Sequence, residues 1–259
     1  MGVAPFARWK QASFGELART LRWAFVAAAL VGLVAPFFFG EWKPLVALSL
    51  LLAAWIVFSG ALNLVERVQS TRAGQPFLRA ALKQPRSFFG MHTAHVGIAV
   101  FVVGVAMVNG YQAEKDVKME VGDSVGVGGY TFRFNGVRQE KGPNYVALVG
   151  DIDLLKGDRT VRKMYPEKRN YLSSTMPMTE AAIDTGFLRD VYVSLGEPID
   201  KARPDAAWAV RVYHKPFVDW IWGGCVLMAL GGLLAMSDRR YRNRSRVATS
   251  IDGVLAQKA

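Results

Sequence analysis

Four apolar runs interrupt the chain, at Trp23–Phe39, Pro44–Val65, Phe88–Val108 and Phe217–Met236. A helix rises about 1.5 Å per residue, so roughly 20 apolar residues cross the hydrocarbon core of a bilayer. No run carries a charge in its middle, and each is expected to be a transmembrane helix. Between the third and fourth runs the period shortens to two. In "GYTFRFNGV", Tyr130, Phe132 and Phe134 alternate with Thr131, Arg133 and Asn135, the pattern of a half-buried strand. "GPN" at 142–144 and "KGDR" at 156–159 signal turns, while "YVALVGDIDLL", "RDVYVSLGE" and "AWAVRVYH" read as further strands. The glycines of "VGDSVGVGGY" do not follow a strand and open a helix, so they fit a hairpin rather than a dinucleotide loop. About six short strands are expected, in a small sandwich or barrel.

The pattern predicts a polytopic α-helical membrane protein with four transmembrane helices and a β-rich outer domain between the third and the fourth. Its divisions are 1–110, a lead-in with three helices; 111–214, the β-rich domain; and 215–259, the fourth helix and a basic tail. Glycines and alanines stripe two of the helices: Gly90, Ala94, Gly97 and Gly104 in the third run, Gly223, Gly224, Gly231 and Gly232 in the fourth. Small residues at such spacing let another helix approach closely.

Charge distinguishes the two sides. The 259 residues carry a formal net charge of +11. Arg8, Lys10, Arg19 and Arg22 precede the first run, in an amphipathic lead-in. Arg67, Arg72, Arg79, Lys83 and Arg86 fill the loop between the second and third, and Arg239, Arg240, Arg242, Arg244 and Arg246 follow the fourth. The hairpin "GEWKP" has only Lys43. By the positive-inside rule both termini are cytoplasmic and 111–214 faces outward. Trp42, Trp220 and Trp222 stand at run ends, where indole rings prefer the interface. The basic tail reads as a topology anchor, and no nucleic-acid partner is expected. No small-residue cleavage site follows an early apolar run, so no cleaved signal peptide is expected. Cys225 has no second cysteine to pair with and reads as a small apolar packing residue.

Only three histidines are present, and two of them, His92 and His95, lie just inside the third run. An ionisable group there is costly and usually faces a partner or cofactor. At about 100° per residue the two rings point within roughly 60° of each other. Three readings stay open: an axial ligand of haem iron, a proton relay, or a histidine hydrogen-bonded between packed helices. His-x-x-His without cysteine or a nearby carboxylate offers too few ligands for zinc. A haem between helices needs a second ligand from another helix. The other runs hold no histidine, only Met228 and Met236 as conceivable substitutes. His214 reads as an interfacial residue at the outer mouth of the fourth run, with substrate contact as the sharper alternative; Asp219 reads as an interface-level carboxylate. In "RKMYPEKRNYLSSTMPMTEAAI", 162–183, Arg162, Lys163, Lys168 and Arg169 interleave with Tyr165 and Tyr171. That stretch reads as a solvated loop, with binding of propionates or an acidic partner as the alternative.

"GPNYVALVGDIDL", "YPEKRNYLSSTMPMTEAAI", "RDVYVSLGE" and "YHKPFVDWIWGGCVLMALGGLLAMSDRRYR" together resemble the carboxy-terminal portion of the cytochrome c maturation haem-lyase subunit, the CcmF family. The resemblance runs from "GVAPFARWK" to "DRRYR". It implies a role in cytochrome c biogenesis, as part of a haem lyase that transfers haem from a haem chaperone to the CXXCH motifs of apocytochrome c. It implies a multi-pass protein of the bacterial inner membrane with 111–214 in the periplasm. It also implies that His95, in "AHVG", is one axial ligand of the iron of a bound haem b. His92 matches no ligand. The family's WWD segment, its two outer-side histidines for the substrate haem and its second membrane histidine are not found here. The resemblance places them in an amino-terminal portion that shares the haem b with this chain. No catalytic residue is assigned, and the chain is not expected to be active alone. The implied partners are that amino-terminal portion, the haem chaperone, apocytochrome c with its thiol-handling subunits, and membrane lipid. The alternative expectation is a membrane electron-transfer or transport subunit without lyase activity.

Overall fold

A computed structural model describes residues 14–174, 176–200 and 207–238. Arg8, Lys10 and the basic tail from Arg239 lie outside the described residues. The helices are α1 (Phe14–Val34), continued by a 3-10 turn at Ala35–Phe38, then α2 (Pro44–Thr71), α3 (Phe77–Leu82), α4 (Arg86–Tyr111) and α5 (Val218–Met236). Among the described residues, four segments are long and apolar enough to cross a membrane: Leu17–Phe38, α2, α4 and α5. The six-residue α3 sits in a loop where the sequence pattern predicts nothing regular. Its length falls short of two helical turns, so no periodicity announces it.

Contacts divide the chain into a helical unit, up to Ala106 and from Trp220, and a β unit, Met107–Asp219. Within the helical unit, α1 and α2 form a hairpin. A Cβ on Gly32 would lie 2.7 Å from Ala47 O. Trp42 Nε1 donates to Leu33 O at 3.1 Å, and Phe25 meets Trp55 edge-to-face at 5.8 Å. α4 packs against α5, antiparallel, along the small-residue stripes. Cβ atoms built on Gly90 and Gly231 would lie 2.6 Å from Gly231 O and 2.7 Å from Gly90 O respectively. On Gly97 a Cβ would lie 2.8 Å from Gly224 O. Only half of the α5 stripe takes part, because nothing lies within 4 Å of Gly223 or Gly232. Cys225 is exposed on α5, so the packing role expected of it is not what the structure shows.

The described residues of the β unit form ten strands: β1 (Ala113–Glu120), β2 (Ser124–Val127), β3 (Tyr130–Lys141), β4 (Tyr145–Lys156), β5 (Arg159–Met164), β6 (Glu167–Tyr171), β7 (Met178–Glu180), β8 (Ala182–Asp184), β9 (Arg189–Pro198) and β10 (Ala207–Pro216). They make two antiparallel sheets. One runs β1-β10-β9-β8; the other runs β2-β3-β4-β6-β7, with β5 paired to the far half of β4. Alternation puts Phe132 and Phe134 inside, where they meet Ile152, Leu154, Val193, Leu195, Trp208 and Val210 from both sheets. The β2–β3 hairpin closes on Gly128 and Gly129 at φ +59° and +78°, the conformation a two-residue hairpin turn demands. Phe217, where the chain leaves β10 for α5, takes φ +58° and donates its N–H to Leu188 O at 2.9 Å.

Ten strands rather than about six form because β5 and β6 carry almost no apolar alternation. The 162–183 stretch is therefore not the solvated loop its composition predicts. Its first part completes β5 and its middle forms β6, hydrogen-bonded to β4 over Glu167–Tyr171.

Candidate functional site

His92 and His95 occupy different environments on α4. His92 bridges two helices. Its Nε2 lies 3.1 Å from Gly60 O on α2, and its Nδ1 lies 3.0 Å from Phe88 O one turn back. The Phe88 ring packs on the imidazole at 4.3 Å, and Arg67 lies over Phe88 at 5.7 Å. Both ring nitrogens thus face backbone carbonyls, and the single N–H of a neutral imidazole can be donated to one of them. A glycine at position 60 leaves the carbonyl reachable: a Cβ there would already touch the His92 ring at 3.7 Å.

His95 stands about 4.5 Å further along the helix and about 60° round it. Its ring is half-buried and makes no hydrogen bond among the described residues. At about 100° per residue it projects more than 100° away from the Gly90–Ala94–Gly97 stripe that α5 covers. The two methionines considered as second ligands are elsewhere. Met228 packs over Gly97 in the α4–α5 contact, and Met236 is exposed at the end of α5. No group of three or more His, Cys, Asp or Glu side chains suited to a metal ion occurs among the described residues. Among the described residues of the helical unit, His95 is the imidazole without a hydrogen bond, and its chemistry would fit an axial position on a haem iron.

His214 is placed differently. It lies on β10, its ring stacked on Tyr130 with centroids 6.3 Å apart. The Gly128 turn closes over it so tightly that a Cβ on Gly128 would fall 2.2 Å from the ring. Burial lowers its pKa, and the Arg189 charge lowers it further. From Tyr130 a polar chain crosses the unit. Arg189 Nε donates to Tyr130 Oη at 2.9 Å, Arg189 Nη1 donates to Asp184 Oδ2 at 2.6 Å, and Arg162 Nη1 donates to Asp184 Oδ1 at 2.7 Å. The chain joins β10, β9 and β8 of one sheet to β3 and β5 of the other. It pins the sheets together and gives His214 a packing role rather than an outward one. Asp219, exposed in the first turn of α5, sits where a negative charge favours the helix dipole.

The sign of the pH effect at this network follows from Asp184. Burial alone would raise its pKa, but the hydrogen bonds from Arg162 and Arg189 hold it below the usual carboxylate range. A depressed carboxylate contributes stability above its unfolded pKa and loses it as pH falls through the folded value. Asp184→Asn should therefore destabilise the β unit by about 2 kcal/mol at pH 7, since Arg189 is left largely buried without its anion. The deficit relative to the unsubstituted chain should shrink below about pH 4, as read by urea unfolding at several pH values. Asp190 runs the other way, burial raising its pKa despite bonds from the Gly186 N–H and the Tyr192 hydroxyl. The difference between the two chains removes that common contribution.

The four cations of the 162–183 stretch are all paired internally. Arg162 binds Asp184; Lys163 lies 3.9 Å from Asp153; Lys168 binds Glu197; Arg169 binds Glu167 at 2.7 Å and reaches Glu180 at 3.7 Å. The alternative of a surface for an acidic partner loses its free charge. Neither these partners nor the Tyr130–Arg189 link is visible in the sequence, where the pairs stand up to 59 residues apart.

Three comparisons bear on the site. The family model described as the CcmF C-terminal beta-sandwich matches residues 110–216. The cytochrome c-type biogenesis protein CcmF of Pseudomonas aeruginosa is 40% identical over 242 residues, covering 93% of this chain and 36% of the relative. The protein of the same name from Escherichia coli is 38% identical over 245 residues, covering 94% and 36%. The cytochrome c-type biogenesis protein ccl1 of Rhodobacter capsulatus is 38% identical over 252 residues, covering 96% and 37%. The chain thus spans a little over a third of the length of these relatives. In fold it is similar to a solved structure, the cytochrome c heme lyase CcmF, with a TM-score of 0.74 at 21% identity over 91% of this chain and 37% of the other.

Proposed function

Because the chain corresponds in sequence and fold to the carboxy-terminal portion of the CcmF proteins, we propose that it serves cytochrome c biogenesis as that part of a haem lyase, with His95 supplying one axial ligand of a haem b. The observation that carries this reading is the contrast between two imidazoles three residues apart. His92 is wedged between Gly60 O and Phe88 O and ties α4 to α2, whereas His95 makes no hydrogen bond among the described residues. Packing accounts for the first and leaves the second available as a ligand.

The residues divide the work. The Gly60–His92 contact and the Gly90–Gly231 and Gly97–Gly224 contacts fix the rotation of α4, and hence the direction of the His95 ring. The second ligand, the sites for substrate haem and any catalytic groups belong to an amino-terminal portion. A haem b held there would supply one-electron redox chemistry that keeps substrate haem iron reduced before thioether bonds form. The β unit, on the periplasmic side in this reading, is placed to meet the haem chaperone or apocytochrome c. Both termini lie in the cytoplasm of a bacterial cell.

The test is a dithionite-reduced minus oxidised spectrum of the chain purified with its amino-terminal partner. His95→Ala should lose the b-type band, by tenfold or more per mole of complex. His92→Ala should keep it, because no ligand is removed. A band unchanged in His95→Ala would overturn the ligand assignment.

A further inference from the structure

The carboxy-terminal end of α2 and the loop carrying α3 enclose a polar cavity of about 230 Å³, lined chiefly by Arg67, Thr71, Gln75, Lys83 and Gln84. Two cations line it and no carboxylate does. Neutral groups hold its wall together: Lys83 Nζ donates to Gln75 Oε1 at 2.7 Å, and Gln84 Nε2 donates to Thr71 Oγ1 at 2.7 Å. Arg67 Nε reaches Gln84 Oε1 only at 3.5 Å, the outer limit of a hydrogen bond. A guanidinium has five N–H groups and an ammonium three, so most donors at this cavity are unspent. Neither Arg67 nor Lys83 has a carboxylate partner among the described residues.

On α3, Ala80 lines the cavity and is buried, whereas Leu78 and Leu82, on the other face of the helix, are 70% and 75% exposed. Exposed leucines on a short helix between two membrane spans fit the boundary between headgroups and acyl chains, where an amphipathic helix lies in the plane of the membrane. Thr71 ends one span and Arg86 starts another, so the cavity stands at the level where lipid phosphates lie.

We propose that this cavity binds the phosphate of an anionic lipid headgroup, Arg67 and Lys83 holding the charge and Leu78 and Leu82 lying along the acyl chains. Inorganic phosphate offers the same charged group without the chains, so the leucines separate the two sources. The full chain in detergent micelles would be titrated with phosphatidylglycerol, phosphatidylcholine and inorganic phosphate, following bound lipid by native mass spectrometry and unfolding by heat. Phosphatidylglycerol should bind and raise the unfolding midpoint; phosphatidylcholine should do neither. Arg67→Gln with Lys83→Gln should weaken phosphatidylglycerol about thirtyfold, two cations near the surface each contributing. Arg67→Lys with Lys83→Arg should retain binding, and so should Lys115→Gln with Arg159→Gln, which removes the same charge from the β unit. Leu78→Ser with Leu82→Ser should weaken the lipid but not inorganic phosphate. The lipid-free midpoint of each variant reports folding separately. Equal binding of both lipids, undiminished binding in the glutamine variant, or binding of inorganic phosphate alone would overturn the proposal.

Discussion

Gly97→Leu is expected to force α4 and α5 apart and to cost the helical unit about 3 kcal/mol or more, since overpacking a close contact costs 1–3 kcal/mol even where side chains can give way. Here they cannot. A Cβ on Gly97 would lie 2.7 Å from Met228 N and 2.8 Å from Gly224 O, both backbone atoms of α5. The contact is reciprocal, because a Cβ on Gly224 would lie 2.6 Å from Phe101 N and 2.7 Å from Gly97 O. Lipid tails are as apolar as leucine, so helices in a bilayer associate through close packing rather than by escaping water. Losing the close approach therefore removes most of what joins this pair. The internal control is Gly223→Leu, which adds the same side chain to the neighbouring helix where nothing lies within 4 Å. Thermal unfolding in micelles should separate the two variants by well over 2 kcal/mol. Equal midpoints would show that α4 and α5 do not meet along this stripe. Under the ligand role proposed for His95, whose direction depends on how α4 is seated, Gly97→Leu should also reduce the b-type band in the assembled complex.

The four spans are legible in the sequence because a membrane helix needs a long uncharged run, and nothing else in the chain produces one. The core of the β unit is legible at β3, where Phe132 and Phe134 alternate with polar residues, and in the GlyGly hairpin before it. The rest depends on partners far apart along the chain. Composition marks Gly223, Gly224, Gly231 and Gly232 alike, and only the rotation of α5 decides that the second and third touch α4. His92 and His95 look equivalent as residues. What distinguishes them is the Gly60 carbonyl 32 positions earlier, and a backbone acceptor leaves no mark on sequence. The same holds for the cations of 162–183. Read alone they make a solvated loop, because, Glu167 beside Arg169 apart, their acids Asp153, Asp184, Glu180 and Glu197 sit on other strands. A strand whose alternation is carried by salt bridges rather than by apolar side chains is silent to a hydropathy pattern.

Phe132→Ala should cost the β unit about 3–5 kcal/mol, the range for removing a buried aromatic ring. The side chain is fully buried. It pairs across strands with Val125 on β2 and Leu154 on β4, and its core includes Val193, Leu195 and Val210 from the opposite sheet. Each sheet buries one face against the other, so a hole at this place is felt by both. The surroundings have little freedom to collapse into it, because the Tyr130–Arg189–Asp184–Arg162 chain already fixes the spacing of the sheets at one end. Phe187→Ala removes the same ring from a position 74% exposed and should change stability by no more than about 0.5 kcal/mol. Amide hydrogen exchange in the full chain reads both effects locally. Amides of β3 and β4 should exchange a hundredfold or more faster in Phe132→Ala, as about 3 kcal/mol requires, while those of α2 and α4 stay protected. The helical and β units separate by their contacts, so under the ligand role proposed for His95 the b-type band should survive in Phe132→Ala. Loss of protection in both units together would mean that they unfold as one.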